Sequence, residues 1–215
     1  MKKKFDFFAF FARCWWYYAL WLVLMIFAWE AVFSFLTKPN KKESIYFFCG
    51  VENAKTDVMY ADFGNIKPEY VKNVDIYACS VRIDAFDSVF ITRGRTEGDI
   101  FILPDTYCEE KTMQACFYPM DRSFIKELFG EDAECGKALY GEKAYGVKIY
   151  DKETDEGKAA EYFTYTYVDQ NGKKQAVGDY YLFFNKKSLH LGKLTGGDHD
   201  GALKLAQAVF NKRAG

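Results

Sequence analysis

Residues 44–51, SIYFFCGV, form a dense apolar and aromatic run of strand length that ends in a turn at Glu52-Asn53. No charged residue interrupts it, so the run reads as a strand buried on both faces and predicts a sheet covered on both sides. The next segments alternate with it. Lys55–Phe63 has helical spacing through Val58, Met59 and Phe63, and Pro68 opens a further helical turn. Val74–Val81 (VDIYACSV) is a second strand. Asp84–Arg95 is a helix with Phe86, Val89 and Phe90 inward and with Gly94 and Gly98 bracketing its end. Gly98–Pro104 (GDIFILP) is a short buried strand entered by Asp99 and stopped by proline. Strand, helix, strand, helix, strand in this order calls for right-handed crossovers and a largely parallel sheet.

Beyond Pro104, Thr106-Tyr107-Cys108-Glu109 matches a capping box and predicts a helix starting there. Asp121–Phe129 reads as a helix with Phe124, Ile125 and Leu128 on one face and Gly130 as terminator. Ala144–Tyr150 (AYGVKIY) returns to strand. Glu161–Val168 and Asp179–Phe184 are strands flanking Asp169-Gln170-Asn171-Gly172, where Asn-Gly favours the positive φ of a hairpin turn. Asp200–Asn211 closes the chain as a helix with Leu203, Ala206, Val209 and Phe210 toward the core. Residues 44–215 therefore read as one α/β domain with a mixed, mostly parallel sheet and a β-hairpin.

Upstream, the reading changes. Residues 37–43 form a short polar linker in which Pro39 closes off a helix. Before it, Trp15–Leu36 (WWYYALWLVLMIFAWEAVFSFL) holds a single charge, Glu30, and as a helix would be about 33 Å long, enough to cross a hydrocarbon core of about 30 Å. Trp15-Trp16-Tyr17-Tyr18 sits where an interfacial aromatic belt belongs. The apolar region is longer than that of a signal peptide and ends in bulky Phe33, Phe35 and Leu36, which favours an uncleaved anchor over a cleaved leader. Lys2, Lys3, Lys4 and Arg13 outnumber Lys38, Lys41 and Lys42, so residues 1–14 are expected in the cytoplasm and the domain outside the cell membrane. A carboxylate within the span is costly unless protonated, at the lipid edge or paired; Glu30 thus also marks a contact point for another membrane protein's helix.

Charge and composition exclude several classes. Residues 1–42 carry seven basic and two acidic residues; the formal total of -1 then leaves -6 for residues 43–215. An acidic domain is a poor nucleic-acid binder, whereas the basic flanks of the span suit anionic headgroups. Cys49, Cys79, Cys108, Cys116 and Cys135 make an odd count, which argues against a complete disulfide framework while leaving room for one bridge such as Cys108 to Cys116. Exported free thiols fit an anaerobic or Gram-positive exterior. With no C-x-x-C pair and only His190 and His199, no metal site or cofactor is expected. Asp151–Gly157 begins like a calcium loop, but its glycine falls one place late and position twelve is Tyr162. Asp198 and Asp200 in Gly196–Gly201 read as helix caps. No G-x-S-x-G, H-E-x-x-H or phosphate-cradling glycine loop occurs, so the chain is not expected to be an enzyme.

In open parallel sheets ligands bind beyond the carboxyl ends of the strands. Here those ends supply Glu52 and Asn53 after the first strand and Asp105, Thr106 and Tyr107 after GDIFILP. This mixture of carboxylate, amide, hydroxyl and aromatic face suits a solute such as a sugar or another glycan, an envelope protein being the other expected partner. The alternative is an envelope enzyme using Glu52, Asp99 and Asp105 as carboxylates.

The succession IYFFCGVE, GDIFILP, AYGVKIY and DYYLFFNKKS resembles the first lobe of extracellular solute-binding proteins of the type II periplasmic class, over Ser44–Ser188. It is also similar to small membrane-anchored proteins of Gram-positive bacteria that carry one such domain behind a single helix. The resemblance implies a periplasmic-binding-protein-like domain and a role in solute binding, accessory to transport or envelope sensing. Members of the class close a second lobe over the ligand; one lobe alone leaves a ligand half exposed.

Overall fold

A computed structural model describes residues 7–37 and 40–212. The Lys2-Lys3-Lys4 cluster and the linker residues Lys38 and Pro39 lie outside the described residues. The chain divides into two units, Met1–Pro39 and Asn40–Gly215.

The first unit is helix α1, Phe7–Thr37. Its stretch Trp15–Ser34 has a mean hydropathy of 1.6 and its residues are exposed. Twenty residues at about 1.5 Å each match a bilayer core. The helix thus has the length and composition of a membrane anchor or a signal sequence.

In the second unit the elements follow in the order β1 (Ser44–Cys49), β2 (Asn53–Ala54), α2 (Thr56–Ile66), β3 (Asn73–Ala78), α3 (Phe86–Val89), a π-helical turn (Phe90–Gly94) running into α4 (Arg95–Glu97), and β4 (Ile100–Pro104). Next come a 3-10 turn (Asp105–Tyr107), α5 (Glu110–Cys116), β5 (Met120–Asp121), α6 (Arg122–Phe129), β6 (Leu139–Tyr140), β7 (Lys143–Ala144), β8 (Gly146–Asp151) and β9 (Glu156–Gly157). The chain finishes with β10 (Phe163–Thr164), β11 (Thr166–Val168), β12 (Lys174–Ala176), β13 (Tyr180–Phe184) and α7 (Gly201–Asn211).

The main sheet has the order β3-β1-β4-β13-β8-β9. β1 is the second strand, between β3 and β4, and pairs in parallel with both. Five of its six residues are buried, which is why it reads as an unbroken apolar run. Alternation sends Ile45, Phe47 and Cys49 to one face, against Met59 and Phe63 of α2, Ile125 and Phe129 of α6 and Leu205 and Val209 of α7. Tyr46 and Phe48 go to the other, against Phe86, Phe90, Met113 and Phe117. Helices therefore cover both faces.

The sheet is mixed, as expected, but the expectation that it is mostly parallel is corrected. β13 is antiparallel to β4 and β8, and β8 to β9, so three of the five pairings are antiparallel. The crossover argument holds only while a helix links successive strands. Between β8 and β13 the chain forms short strands and turns without a helix, and such a connection gives antiparallel neighbours.

Other expectations change in detail. The Asp169–Gly172 turn does join antiparallel strands, but they are β11 and β12, paired from Thr166–Ala176 to Val168–Lys174. Tyr180–Phe184 is instead a core strand of the main sheet, because its uniform burial selects a central position. Glu161–Val168 is split into β10, which pairs with β2, and β11. Pro68 begins a turn closed by Val71 N–H to Pro68 C=O and not a helical segment. The five cysteines of this unit are all free, Cys108 and Cys116 included.

Candidate functional site

The register of the parallel strands decides what shares an edge. Cys49 of β1 stands beside Ile102 of β4, and the Gly50 amide donates to the Ile102 carbonyl at 2.7 Å. The chain leaving β1 at Glu52-Asn53 and the chain leaving β4 at Asp105-Thr106-Tyr107 consequently emerge on the same edge of the sheet. β3, parallel to β1, ends there too and delivers Ser80 and Arg82.

Each residue is held by specific partners. The Glu52 carboxylate accepts from Ser80 Oγ at 2.9 Å and faces Arg82 at 3.4 Å, with its side chain 12% exposed. Asn53 is exposed and pairs through β2 with Thr164. Asp105 pairs with Lys137, its amide donates to the Asp179 carbonyl, and Gly178 passes so close that a Cβ there would meet Asp105 Oδ1 at 2.0 Å. Thr106 is exposed on the 3-10 turn. Tyr107 turns back onto the Phe86 and Phe90 rings and donates its hydroxyl to Asp87 at 2.5 Å. Burial first and Asp87 second push the Tyr107 phenol well above its usual range.

Two parts of the expected site are corrected. Thr106 does not cap a helix: α5 starts at Glu110 with Glu109 at its N-cap position and no side-chain cap, because the Asp105–Asp179 backbone bond draws Asp105–Tyr107 into a tight turn. The Thr106 turn therefore aims no helix terminus at this edge. Asp99 does not join Glu52 and Asp105, since it precedes β4 at the opposite edge, on the order of 20 Å from Asp105 along the strand. It is buried there with Ser188 and the Tyr46 amide.

Several residues at the edge carry no signal in the sequence. Arg82 lies 3.7 Å from the Tyr167 ring centroid, which ties the end of β3 to the β11–β12 hairpin. Tyr180, opposite Pro104, is fully buried. In the sequence it is one of five apolar or aromatic residues of a core strand, and nothing local separates it from Tyr181.

Elsewhere, a cavity of about 410 Å³ opens beside β8 and β9, lined among others by Glu134, Lys148, Tyr150, Asp151, Glu156 and Phe210. None of the five candidate residues lines it. Its central charges are engaged with one another: Lys148 pairs with Asp151 at 2.5 Å and Asp179 at 3.8 Å. Lys148 and the Thr154 and Glu153 amides hold Asp151 down at about 2. The carboxylates of the Asp151–Gly157 loop thus organise a turn. Burial raises the thiols of Cys49, Cys108, Cys116 and Cys135, Cys108 to about 12, so these four are protonated and poorly nucleophilic near neutrality.

No protein-family model matches the chain, and no curated protein matches it. Among solved structures it is similar to a eukaryotic thiaminase-I bound to the thiamin analogue 3-deazathiamin, at 12% identity and a TM-score of 0.33, over 50% of this chain and 32% of that one. The chain therefore spans about a third of that protein's length. The expectation that the chain is not an enzyme is withdrawn, because the solved structure it resembles is an enzyme's. At this distance the likeness transfers neither activity nor substrate, and what stands is an α/β domain with a mixed, partly parallel sheet.

Proposed function

We propose that this chain is a membrane-anchored binding module, with Trp15–Leu36 in the bilayer, residues 1–14 in the cytoplasm and the α/β domain outside. Its site is the edge carrying Glu52, Asn53, Asp105, Thr106 and Tyr107, and its ligand is a hydroxyl-rich solute or envelope glycan. The observation that carries this reading is the parallel Cys49–Ile102 register, which places both strand ends on one edge. Exposed Asn53 and Thr106 supply neutral hydrogen-bonding groups, and Glu52 and Asp105 supply acceptors that Arg82 and Lys137 keep from being isolated charges. Sugars are held by such mixtures of planar polar groups and aromatic surface.

The test uses the full chain in a detergent without a sugar headgroup, screened against glucose, maltose and N-acetylglucosamine oligomers by calorimetry. Binding that weakens in Asn53→Ala and Thr106→Ala variants of unchanged melting temperature supports the site. No binding of any saccharide by the wild-type chain overturns it.

A further inference from the structure

Three tyrosines pack together under this edge. The Tyr165 ring lies 4.7 Å from Tyr150 and 5.2 Å from Tyr180, and the Tyr150 and Tyr180 rings meet edge to face at 6.1 Å. Two of the three hydroxyls are committed: Tyr150 donates to Asp155 at 2.8 Å and Tyr165 to the Lys158 carbonyl at 2.7 Å. The Tyr180 hydroxyl is buried and has no partner. A buried polar atom of this kind calls for an explanation, since most are paired. Tyr180 opens β13 directly opposite Pro104, so it stands at the edge where Asp105 emerges. Its phenol is raised by burial first and then by Glu52, Tyr150, Asp105 and Tyr167, which places the hydroxyl within the fields of both candidate carboxylates.

Beside that edge stands the β11–β12 hairpin, with Tyr167 against Arg82. Its two strands pair with each other and with no strand of the main sheet. Its outer surface is solvent-facing, Val168 being 68% exposed. At its base Ala176 is buried in the core and Lys174 pairs with Asp155 at 2.5 Å; on the side of the edge it is fastened by Arg82, whose guanidinium stacks on Tyr167 at 3.7 Å while reaching Glu52 at 3.4 Å. A ligand that engages Glu52 competes for the group that fastens the hairpin.

We propose that the hairpin Thr166–Ala176 is a lid over a saccharide subsite whose floor is the Tyr180 hydroxyl and whose walls are Glu52 and Asp105, with the Arg82–Tyr167 stack as its latch. This rests on the binding reading above and adds its floor residue, its lid and its mode of opening. A saccharide hydroxyl both donates and accepts, so it pairs with the phenol and with a carboxylate at once.

The experiment uses the full chain in the same detergent with maltose and N-acetylglucosamine as probes. Tyr180→Phe is expected to melt at or above the wild-type temperature, because it removes an unpaired hydroxyl, and to bind the saccharide at least 10-fold more weakly. Wild-type affinity in this variant, or a lowered melting temperature, overturns the floor assignment while leaving the edge proposal standing. Arg82→Gln is expected to speed amide exchange of 166–176 at least 10-fold without changing exchange in β1 and β4. Unchanged exchange there overturns the latch. Absence of saccharide binding by the wild-type chain overturns the subsite together with the proposal it rests on.

Discussion

Ser188 Oγ donates a hydrogen bond of 2.5 Å to Oδ1 of Asp99 across 89 positions of sequence. The other carboxylate oxygen accepts the Tyr46 amide at 2.9 Å, the Asp99 amide returns a bond to the Tyr46 carbonyl, and the Asp99 carbonyl accepts from Asn185. One buried side chain thus joins the start of β1, the start of β4 and the turn after β13. Its role is to set the register from which the opposite edge inherits its arrangement.

Asp99→Ala leaves the Ser188 hydroxyl and the Tyr46 amide without this acceptor and should cost about 2 to 3 kcal/mol. Asp99→Asn keeps one acceptor and should cost less. Urea unfolding of both variants checks the order, and equal stability of Asp99→Ala and wild type would exclude a structural role.

The same carboxyl gives a pH dependence. Burial raises its pKa above 3.8, outweighing the Ser188 and Tyr46 hydrogen bonds and the nearby His190 and Lys41 charges. The folded state therefore binds the Asp99 proton more tightly than the unfolded state does. Its contribution to stability is fullest below about pH 4 and declines as pH rises toward the folded pKa. The melting temperature of Asp99→Asn minus that of wild type should accordingly rise between pH 4 and pH 7; a flat or falling difference would contradict the burial argument.

Gly172 has a φ of +76° and nothing within 4 Å of an added Cβ, so backbone conformation alone selects it. Gly172→Val should lower stability by about 1 kcal/mol or more, whereas Gly172→Asn should stay near wild type because asparagine tolerates the left-handed region. Thermal melts of the pair separate this backbone cost from packing. Equal melting of the valine variant and wild type would show that the turn relaxes.

On the second face of the sheet, Phe117 and Phe183 stack at 4.1 Å with both side chains fully buried. Phe183→Ala should cost about 3 to 5 kcal/mol and Phe183→Leu clearly less, as the cavity shrinks. Denaturant midpoints read the difference, and similar losses for the two would point to the ring stack over the volume.

The proposed topology predicts that protease added to intact cells digests residues 44–215 while the N-terminal tail is spared, detected with an antibody against each end. Protection of the domain, or its release as a soluble form without α1, would reverse the anchor assignment.

Strands with saturated apolar character were legible from sequence: Ser44–Val51, GDIFILP and AYGVKIY announce burial through side-chain chemistry that does not depend on neighbours. Thr56–Ile66, Arg122–Phe129 and Gly201–Asn211 were legible through spacing and terminators, because helical periodicity is local. The Asn171-Gly172 turn was equally plain, since positive φ is a property of the residue. Partner choice was not legible. Tyr180–Phe184 has the composition of either a hairpin arm or a core strand, and only competition among all strands for buried positions inserts it antiparallel between β4 and β8. Thr106 matched a capping box, yet a backbone bond to Asp179, distant in sequence, overrode it. The sequence by itself determined which segments must be buried and where the chain must turn, because hydrophobicity and backbone freedom belong to residues. Tertiary structure alone decided that Glu52, Arg82, Asp105, Tyr167 and Tyr180 share one edge and that Asp99 does not, because register and adjacency are properties of pairs of segments far apart in the chain.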